Sequence, residues 1–593
     1  MTNAVAWIVI YALALALRLD LNWFEFIALA LAAAVSVAFP RLGSKSFSRF
    51  ERALARIGER RVLSIWIAAL LAPTLRLALL PVLPPPQPLV TDEYSHLLLA
   101  DTLAHGRLTN PPHPLWPHFE TIHVIQHPTY NSMYLPGQAL FLALGQAATG
   151  VPWAGVVLSF ALMSGALCWM LQAWVPPKWA LLGSVLWSLR VGLFGYWMNS
   201  YWGGAVGALG GALVLGAWPR LRRQPRLRNA ALLGVGMLVL LNTRPFEGFA
   251  LCLPVVASLA WTLRATALRA VNGSSLRRVL VPVVLPLLGI AAAAVAMLCY
   301  YNWRVTGDPL RLPYTVNQQA YGWPMTLIWQ TPPEISHRHE DMRRYYDWEL
   351  GEHIDLLSPA AAAPPSHVMT LWSFFLGPAL TLPLLLCLGV FRKRRLRPLL
   401  IAAACVLAAV LLEQSRYPHY FSTAAGVILV LFVEGLRRLY AGGRRNPRLL
   451  LLARSVPLVV CLAIAARGIA GDAVVSRTNP DYFTSWCCGG PGDLNRAGII
   501  RQLQRIPGKH LVIVRYKLSH SFMEAWIENA ADIGQAPIVW ARDLGPVRNQ
   551  RLIAWFKDRR VWLLAADERP LRLSRYTPAA ENSPFPPYRP ELK

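Results

Sequence analysis

Long apolar runs separated by clusters of arginine dominate this sequence and leave few folds open to it. The runs lie near 4–19, 23–41, 62–83, 153–173, 180–196, 201–218, 230–243, 248–263, 280–300, 368–391, 398–413, 420–438 and 455–471. A helix needs about 20 mostly apolar residues to cross the hydrocarbon core of a bilayer, so these make thirteen candidate spans. Several are short, which leaves neighbouring short runs open to a reading as half-spans. With 55% apolar and only 15% charged side chains the chain is too greasy for an ordinary soluble multidomain protein. The expected fold is an all-α polytopic membrane protein. Six of the eight cysteines sit inside the apolar runs, where a free thiol behaves as a small hydrophobe. Cys487 and Cys488 have no companion at zinc-binding or CxxC spacing, so no disulfide framework is expected.

The formal charge of +27 follows the ends of the apolar runs and no nucleic-acid-binding module is visible, so the expected partner of that charge is membrane lipid and not nucleic acid. Lysine and arginine favour the cytoplasmic side, which places 41–61, 219–228, 264–279, 392–397 and 437–454 inside. Alternation from a cytoplasmic N-terminus then puts 84–135, 197–200, 244–247, 301–367, 414–419 and everything after 472 outside. The N-terminus lacks the basic segment of a cleaved signal and is soon followed by a second apolar run, so it reads as a retained helix of an inner (plasma) membrane protein. PGQALFLALGQAATG (136–150) breaks the parity if counted as a crossing; short, glycine-rich and headed by proline, it reads as a re-entrant segment sheltered by protein. The chain thus divides into an N-terminal helical hairpin and cytoplasmic linker (1–61), a membrane domain (62–471) with outer loops 84–135 and 301–367, and a small extracytoplasmic α/β domain (472–593). The last carries strand-like runs at 510–516, 536–542 and 559–565 and a proline-rich tail.

Directly after the third run comes TDEYSHLLLADTLAHGRL, with Asp92 and Glu93 where an apolar helix delivers the chain to the outer surface. Adjacent helical residues point about 100° apart, so the two carboxylates cannot share one proton. One would face a reaction centre while the other holds structure. The competing reading is local: Thr91 caps a helix whose first turn carries both acids, the favourable placement against the helix dipole.

The pair, with the YSHLLLADTLAHGRL after it, resembles the Asp-Glu motif on the first large outer loop of GT-C glycosyltransferases, the superfamily of protein O-mannosyltransferases, aminoarabinose transferases and related polyprenyl-phosphate-dependent enzymes. HPTYNSMYLPGQALFLALGQAATG (127–150) is similar to the family's proline-led segment that returns into the membrane. GYWMNSYWGG (195–204) occupies the place of a further outer aspartate, with Asn199 and Ser200 instead. NTRPFEG (242–248) resembles a TKG-like turn with Arg244 for lysine, and QSRYPHYF (414–421), with Arg416, Tyr417 and His419, resembles an RYxxP-like turn. The resemblance covers about 60–440. The two extra N-terminal helices, the missing second aspartate and the C-terminal domain depart from the pattern.

It implies a sugar transferred from a polyprenyl-phosphate donor to an acceptor hydroxyl of unknown kind (glycan, lipid or protein) on the outer side, with inversion. The chemistry asks for the same residues. Breaking the sugar–phosphate bond leaves extra negative charge on phosphate, which fixed cations such as Arg244 and Arg416 would stabilise. The acceptor hydroxyl must lose a proton, for which Asp92 is a suitable base. For each arginine the alternative is a side chain snorkelling to lipid headgroups, and Glu247 pairs most simply with Arg244. His96, His105, His113, His118, His123 and His127 crowd the first outer loop at loose spacing, which suits substrate contact better than a divalent metal; no cofactor is certain. His96, His127, Tyr130, Asn199, Glu247, Tyr417 and His419 complete the set of possible substrate contacts. Trp116, Tyr130, Tyr134, Trp197, Tyr201, Trp202, Trp323 and Tyr345 fit either a sugar platform or an interfacial belt. The loop 301–367 is long enough to cover a cavity. A transporter or flippase of lipid-linked sugars is the alternative; it would place polar groups near the midplane of two related halves. A non-catalytic scaffold, the third reading, would need no cavity between the loops.

Overall fold

A computed structural model describes residues 21–269, 280–322, 327–331, 335–357, 364–413, 417–470, 486 and 489–577. The expected first run (4–19), Arg416, Trp323, Cys487, Cys488 and the C-terminal tail lie outside the described residues. Helices come in the order α1 (Leu21–Ala38), α2 (Ser44–Glu59), α3 (Arg61–Ala78), α4 (Thr91–Ala104), α5 (Pro136–Thr149), α6 (Trp153–Trp174), α7 (Pro177–Gly192), α8 (Ala205–Arg223), α9 (Leu227–Leu241) and α10 (Pro245–Arg269). They continue as α11 (Leu285–Thr306), α12 (Pro313–Tyr321), α13 (Glu340–Leu357), α14 (Pro364–Phe375), α15 (Gly377–Leu386), α16 (Arg397–Leu411), α17 (Ala425–Gly443), α18 (Pro447–Ala470), α19 (Leu494–Gln504) and α20 (Pro546–Trp555).

Among the described residues seven helices are long and apolar enough to cross a membrane, or up to eight if one bent pair counts as a span. The expected runs near 230–243 and 398–413 form shorter apolar helices. The run near 368–391 is not straight: its two halves meet at 96°. The break falls at Gly377, whose φ of 57° belongs to the left-handed region that a Cβ disfavours. The segment 136–150 forms α5, whose 14 residues reach about 21 Å, short of a crossing. Gly150, at φ 75°, ends it and turns the chain into α6, which packs back along it.

The core of the bundle is a continuous apolar cluster drawn from α1, α6, α7, α8, α17 and α18 among others, with tryptophans 187, 197 and 218 fully buried. At one end the arginine-rich segments meet. Arg454 pairs with Glu51 (2.7 Å), Arg223 donates to the carbonyl of Ala173, and Arg395 to those of Ala173 and Trp174.

At the opposite end the segment 84–135, expected to be the first outer loop, carries a short hairpin, β1 (Val124–Ile125) and β2 (Asn131–Ser132), and the C-terminal domain lies against it. That domain has a four-stranded sheet of β3 (Lys509–Arg515), β4 (Ile538–Arg542), β5 (Arg559–Ala565) and β6 (Arg572–Arg575), in order β4-β3-β5-β6. The first three are parallel and β6 is antiparallel to β5. Both faces of β3 are covered, as a central parallel strand requires: Val512 and Val514 pack towards α19, and Leu511 and Ile513 join Leu98, Phe119 and Tyr130 of the outer loop. Arg542 adds a fork to Asp341 of α13 (2.6 and 2.8 Å) and a bond to the Glu120 carbonyl (2.7 Å).

Candidate active site

α4 starts at Thr91 and its first turn carries both carboxylates, but their roles separate there. Glu93 turns back on the backbone. Its Oε2 accepts from the N–H of Leu89 (2.7 Å) and Val90 (3.3 Å), and its Oε1 from that of Tyr201 (2.8 Å). Three main-chain donors thus occupy it, tying the start of α4 to the outer turn before α8. Burial pushes its pKa up to about 7, against the pull of those hydrogen bonds. The local, capping reading therefore describes Glu93. Asp92 caps nothing. It accepts the Tyr134 hydroxyl at 2.5 Å, its Oδ2 lies 3.6 Å from His123 Nδ1, and its side chain remains 23% exposed.

His123 sits at φ 65°, the one positive φ at a described residue other than glycine. A left-handed backbone costs a side-chain-bearing residue on the order of 1 kcal/mol and is kept where surroundings over-determine it. Here the Ser95 hydroxyl (2.8 Å) and Met133 N–H (3.1 Å) hold its carbonyl. Its ring is placed between Thr91 Oγ1 at Nδ1 (3.1 Å) and the Tyr345 hydroxyl at Nε2 (2.9 Å). The Tyr345 hydroxyl donates to Glu349 (2.8 Å), so the tautomer that satisfies the chain carries its proton on Nε2 and leaves Nδ1 as acceptor beside Asp92. Burial lowers the pKa of His123 although Asp92 opposes it, so the ring is neutral. Burial likewise holds the Tyr134 phenol well above its ordinary value, keeping its proton on the bond to Asp92.

Arg244 lies in the turn between α9 and α10. Its guanidinium stacks over Tyr420 (4.2 Å to the ring centre) and Nη1 is 3.7 Å from Glu247 Oε1. Burial works against its charge, but Glu247, Tyr420, Tyr314 and Glu413 outweigh it and leave the pKa above its ordinary value. Glu413, at the end of the apolar run 398–413, is buried near this turn. His419 is buried with Nδ1 on the Tyr196 hydroxyl (3.1 Å) and, among the described residues, no hydrogen-bond partner at Nε2. His96 stacks on Tyr134 (4.5 Å) and its Nδ1 is equally unmatched.

The acid and the guanidinium lie close to a shared set of side chains. Both act electrostatically on the His96 ring and on the Tyr314 phenol, and Arg244 and His96 both act on His419. From the Arg244 turn an apolar groove of about 630 Å³ runs between α9, α10 and α11, lined by Leu241, Pro245 and Phe249 near this end and reaching Arg222 at the other.

Not every residue singled out from sequence joins this set. The Tyr130 hydroxyl donates to the Asn529 carbonyl (3.3 Å), at the contact with the C-terminal domain. His127 is exposed and edge-on to Trp116 (5.0 Å). Asn199 is a strut: its Oδ1 accepts from Arg76 Nε (2.6 Å) and its amide donates to Gly195 (2.9 Å). Tyr417 stacks with His419 and meets Trp202 edge-on. Trp197 belongs to the bundle core with Trp187 and Phe374, neither belt nor platform. Among the described residues no group of three or more His, Cys, Asp or Glu side chains is placed to hold a metal. Tyr314, Tyr420, Glu349 and Glu413 went unmarked in the sequence. Only Glu413, a lone acid ending an apolar run, carries a local signal.

No protein-family model and no curated protein sequence matches this chain. Among solved structures it is similar to ArnT from Cupriavidus metallidurans bound to undecaprenyl phosphate, at 14% identity and a TM-score of 0.45 over 86% of this chain and 96% of that one. It is also similar to the Archaeoglobus fulgidus oligosaccharyltransferase in the apo form, at 12% identity and a TM-score of 0.43 over 85% of this chain and 69% of that one. The same archaeal enzyme, AglB, in complex with an inhibitory peptide and a dolichol-phosphate aligns at 11% identity with a TM-score of 0.38.

Proposed function

We propose that this chain is a membrane glycosyltransferase that moves a sugar from a polyprenyl-phosphate donor to an acceptor hydroxyl on the outer side, with inversion. The observation that carries it is convergence: the carboxylate of Asp92 and the guanidinium of Arg244, both partly exposed, act on the same His96 and Tyr314 side chains, and an apolar groove starts beside the turn that holds Arg244. The donor phosphate sits on Arg244, with Arg416 as the second cation, and the prenyl chain lies in the groove between α9, α10 and α11. His419 Nε2 and His96 Nδ1, buried without partners among the described residues, are hydrogen-bonding groups that a phosphate or sugar would satisfy.

The acceptor hydroxyl meets Asp92, which takes its proton as oxygen attacks the sugar carbon. The bond to phosphate breaks with its electron pair going to phosphate, where Arg244 meets the growing charge. Tyr134 and His123 flank the carboxylate and orient it. One displacement inverts the anomeric centre. Glu93 acts through the backbone, by setting where α4 begins.

The test is transfer from polyprenyl-phosphate sugars by purified protein. Asp92→Asn should lower turnover by about a hundredfold or more at unchanged thermal stability. Undiminished transfer by that variant would remove Asp92 as base. Lipid movement across the bilayer with no turnover on any donor would replace the transferase by a flippase.

A further inference from the structure

The basic end of the bundle holds a second built cavity, far from the candidate active site. α2 is strongly two-faced: Lys45, Arg49, Arg52 and Arg56 fall at i, i+4, i+7 and i+11 and are all exposed, while Phe47, Phe50, Leu54 and Ile57 line a cavity of about 580 Å³. Its other walls come from α3, α7, α17 and α18, and it opens to the side of the bundle. Such a volume falls within the roughly 300–1,000 Å³ typical of ligand pockets.

Two devices hold the helix over this space. Gly58 lies so close to the start of α7 that a Cβ there would stand 2.7 Å from the Lys178 Cα, so only glycine permits the contact. Glu51 receives both the Tyr440 hydroxyl (2.7 Å) and Arg454 (2.7 and 3.1 Å). Glu51 and Arg454 thereby neutralise each other, leaving Lys178 as the uncompensated charge at the rim. Its Nζ lies over the rings of Trp179 (5.7 Å) and Tyr440 (5.8 Å), and among the described residues no carboxylate stands within ion-pair distance of it.

We propose that this cavity binds an anionic glycerophospholipid from the leaflet that carries α2, with one acyl chain in the cavity and the phosphate on Lys178. The chain alone would select nothing, because bilayer hydrocarbon is as apolar as the cavity wall. Selection comes from the headgroup: an anion beside Lys178 and the basic stripe is favoured, and a zwitterionic headgroup brings its own cation into the same field. The site is separate from the proposed transferase site and needs no assumption about it.

Native mass spectrometry on the full-length protein, exchanged between phosphatidylglycerol and phosphatidylcholine of matched chains, tests this. One phosphatidylglycerol should be retained in preference, Lys178→Arg should keep it, and Lys178→Glu should weaken it roughly tenfold or more. Leu54→Trp fills the cavity and should remove the retained lipid while leaving the charge in place. Thermal unfolding of each variant identifies any that fails to fold, and the Arg and Glu substitutions at the half-buried Lys178 then decide between them. Equal retention of the two lipids by the wild type would overturn the proposal, as would retention unaffected by both Lys178→Glu and Leu54→Trp.

Discussion

The arginines at the two ends of the bundle are alike in sequence and opposite in setting. Arg222, Arg223, Arg226, Arg228, Arg392 and Arg394 end apolar runs and are exposed. Arg76, Arg190 and Arg244 also lie near the ends of apolar runs, but the first two are fully buried and the third is stacked under Tyr420. Burying a guanidinium costs several kcal/mol unless partners surround it. The fold supplies them for Arg76, whose fork reaches Asn199 and the carbonyls of Leu83 and Pro84, and for Arg190, which pairs with Glu25. Arg244 has one acid at 3.7 Å and keeps 22% of its side chain exposed. Cations at one end are mostly exposed; those at the other are held by the fold, and Arg244 alone of these three keeps part of its side chain exposed.

The comparison breaks first at Arg244. Replacing it by Gln should lower transfer by about a hundredfold to a thousandfold, the scale of losing a donor aimed at developing charge. Arg244→Lys should recover little, since an ammonium lacks the planar fork and the stack on Tyr420. The same exchange at Arg226 should leave transfer unchanged. If Arg244→Gln and Arg226→Gln behaved alike in a turnover assay, the two ends would not differ in function.

Glu93 sharpens the contrast from the acid side. Glu93→Gln replaces an acceptor of three backbone N–H groups by an amide whose own NH2 must face one of them, at a cost of about 1–3 kcal/mol read by thermal unfolding. The pH dependence has a definite sign. The folded pKa of about 7 lies above the ordinary carboxylate value of 4.5, so the unfolded chain gives up this proton first. The contribution of Glu93 to stability is complete below pH 4.5 and declines as pH rises towards 7, then stays level. The Gln variant should lack that slope; an identical pH profile in both proteins would show that Glu93 does not titrate in this way. Asp92→Asn, by contrast, should change turnover and leave the unfolding temperature in place.

Features set by local forces are legible in the sequence, and those set by distant contacts are not. Apolar runs translate directly into helices, as 153–173 into Trp153–Trp174, because lipid and protein interior ask for the same side chains. The bend at Gly377 was masked by the apolarity on either side of it, although Gly-Pro is a turn signal. Strands β3, β4 and β5 announce themselves through Val, Ile, Leu and Trp, whereas β6, RLSR, has no apolar pattern and forms only as an edge on β5. Asp92 and Arg244 stand out as charges at the ends of apolar runs. Tyr314, Tyr345 and Tyr420 do not, since a tyrosine at a membrane boundary needs no special explanation; contacts with residues distant in sequence, such as His123 with Tyr345 and Arg244 with Tyr420, give them their place. The left-handed backbone at His123 likewise comes from the hydrogen bonds around it, not from its neighbours in sequence.

The smallest effect is expected where the basic end most resembles the other. Arg454 and Glu51 form a well-aligned pair, and by distance alone, 2.7 Å against 3.7 Å, it looks stronger than Arg244 with Glu247. Exposure reverses the order: the Glu51 side chain is 26% accessible and Glu247 only 3%. Water screens the first pair and takes over its carboxylate once the arginine is gone, so Arg454→Gln should cost no more than about 1 kcal/mol and shrink further at high salt. Glu247, left without Arg244, has no such recourse and must take up a proton or remain a buried charge. Thermal unfolding of the two Gln variants side by side, at low and high salt, measures this directly. A loss at Arg454 as large as that at Arg244 would mean that α2 is sealed from solvent, and the two ends of the molecule would then be held by the same kind of force.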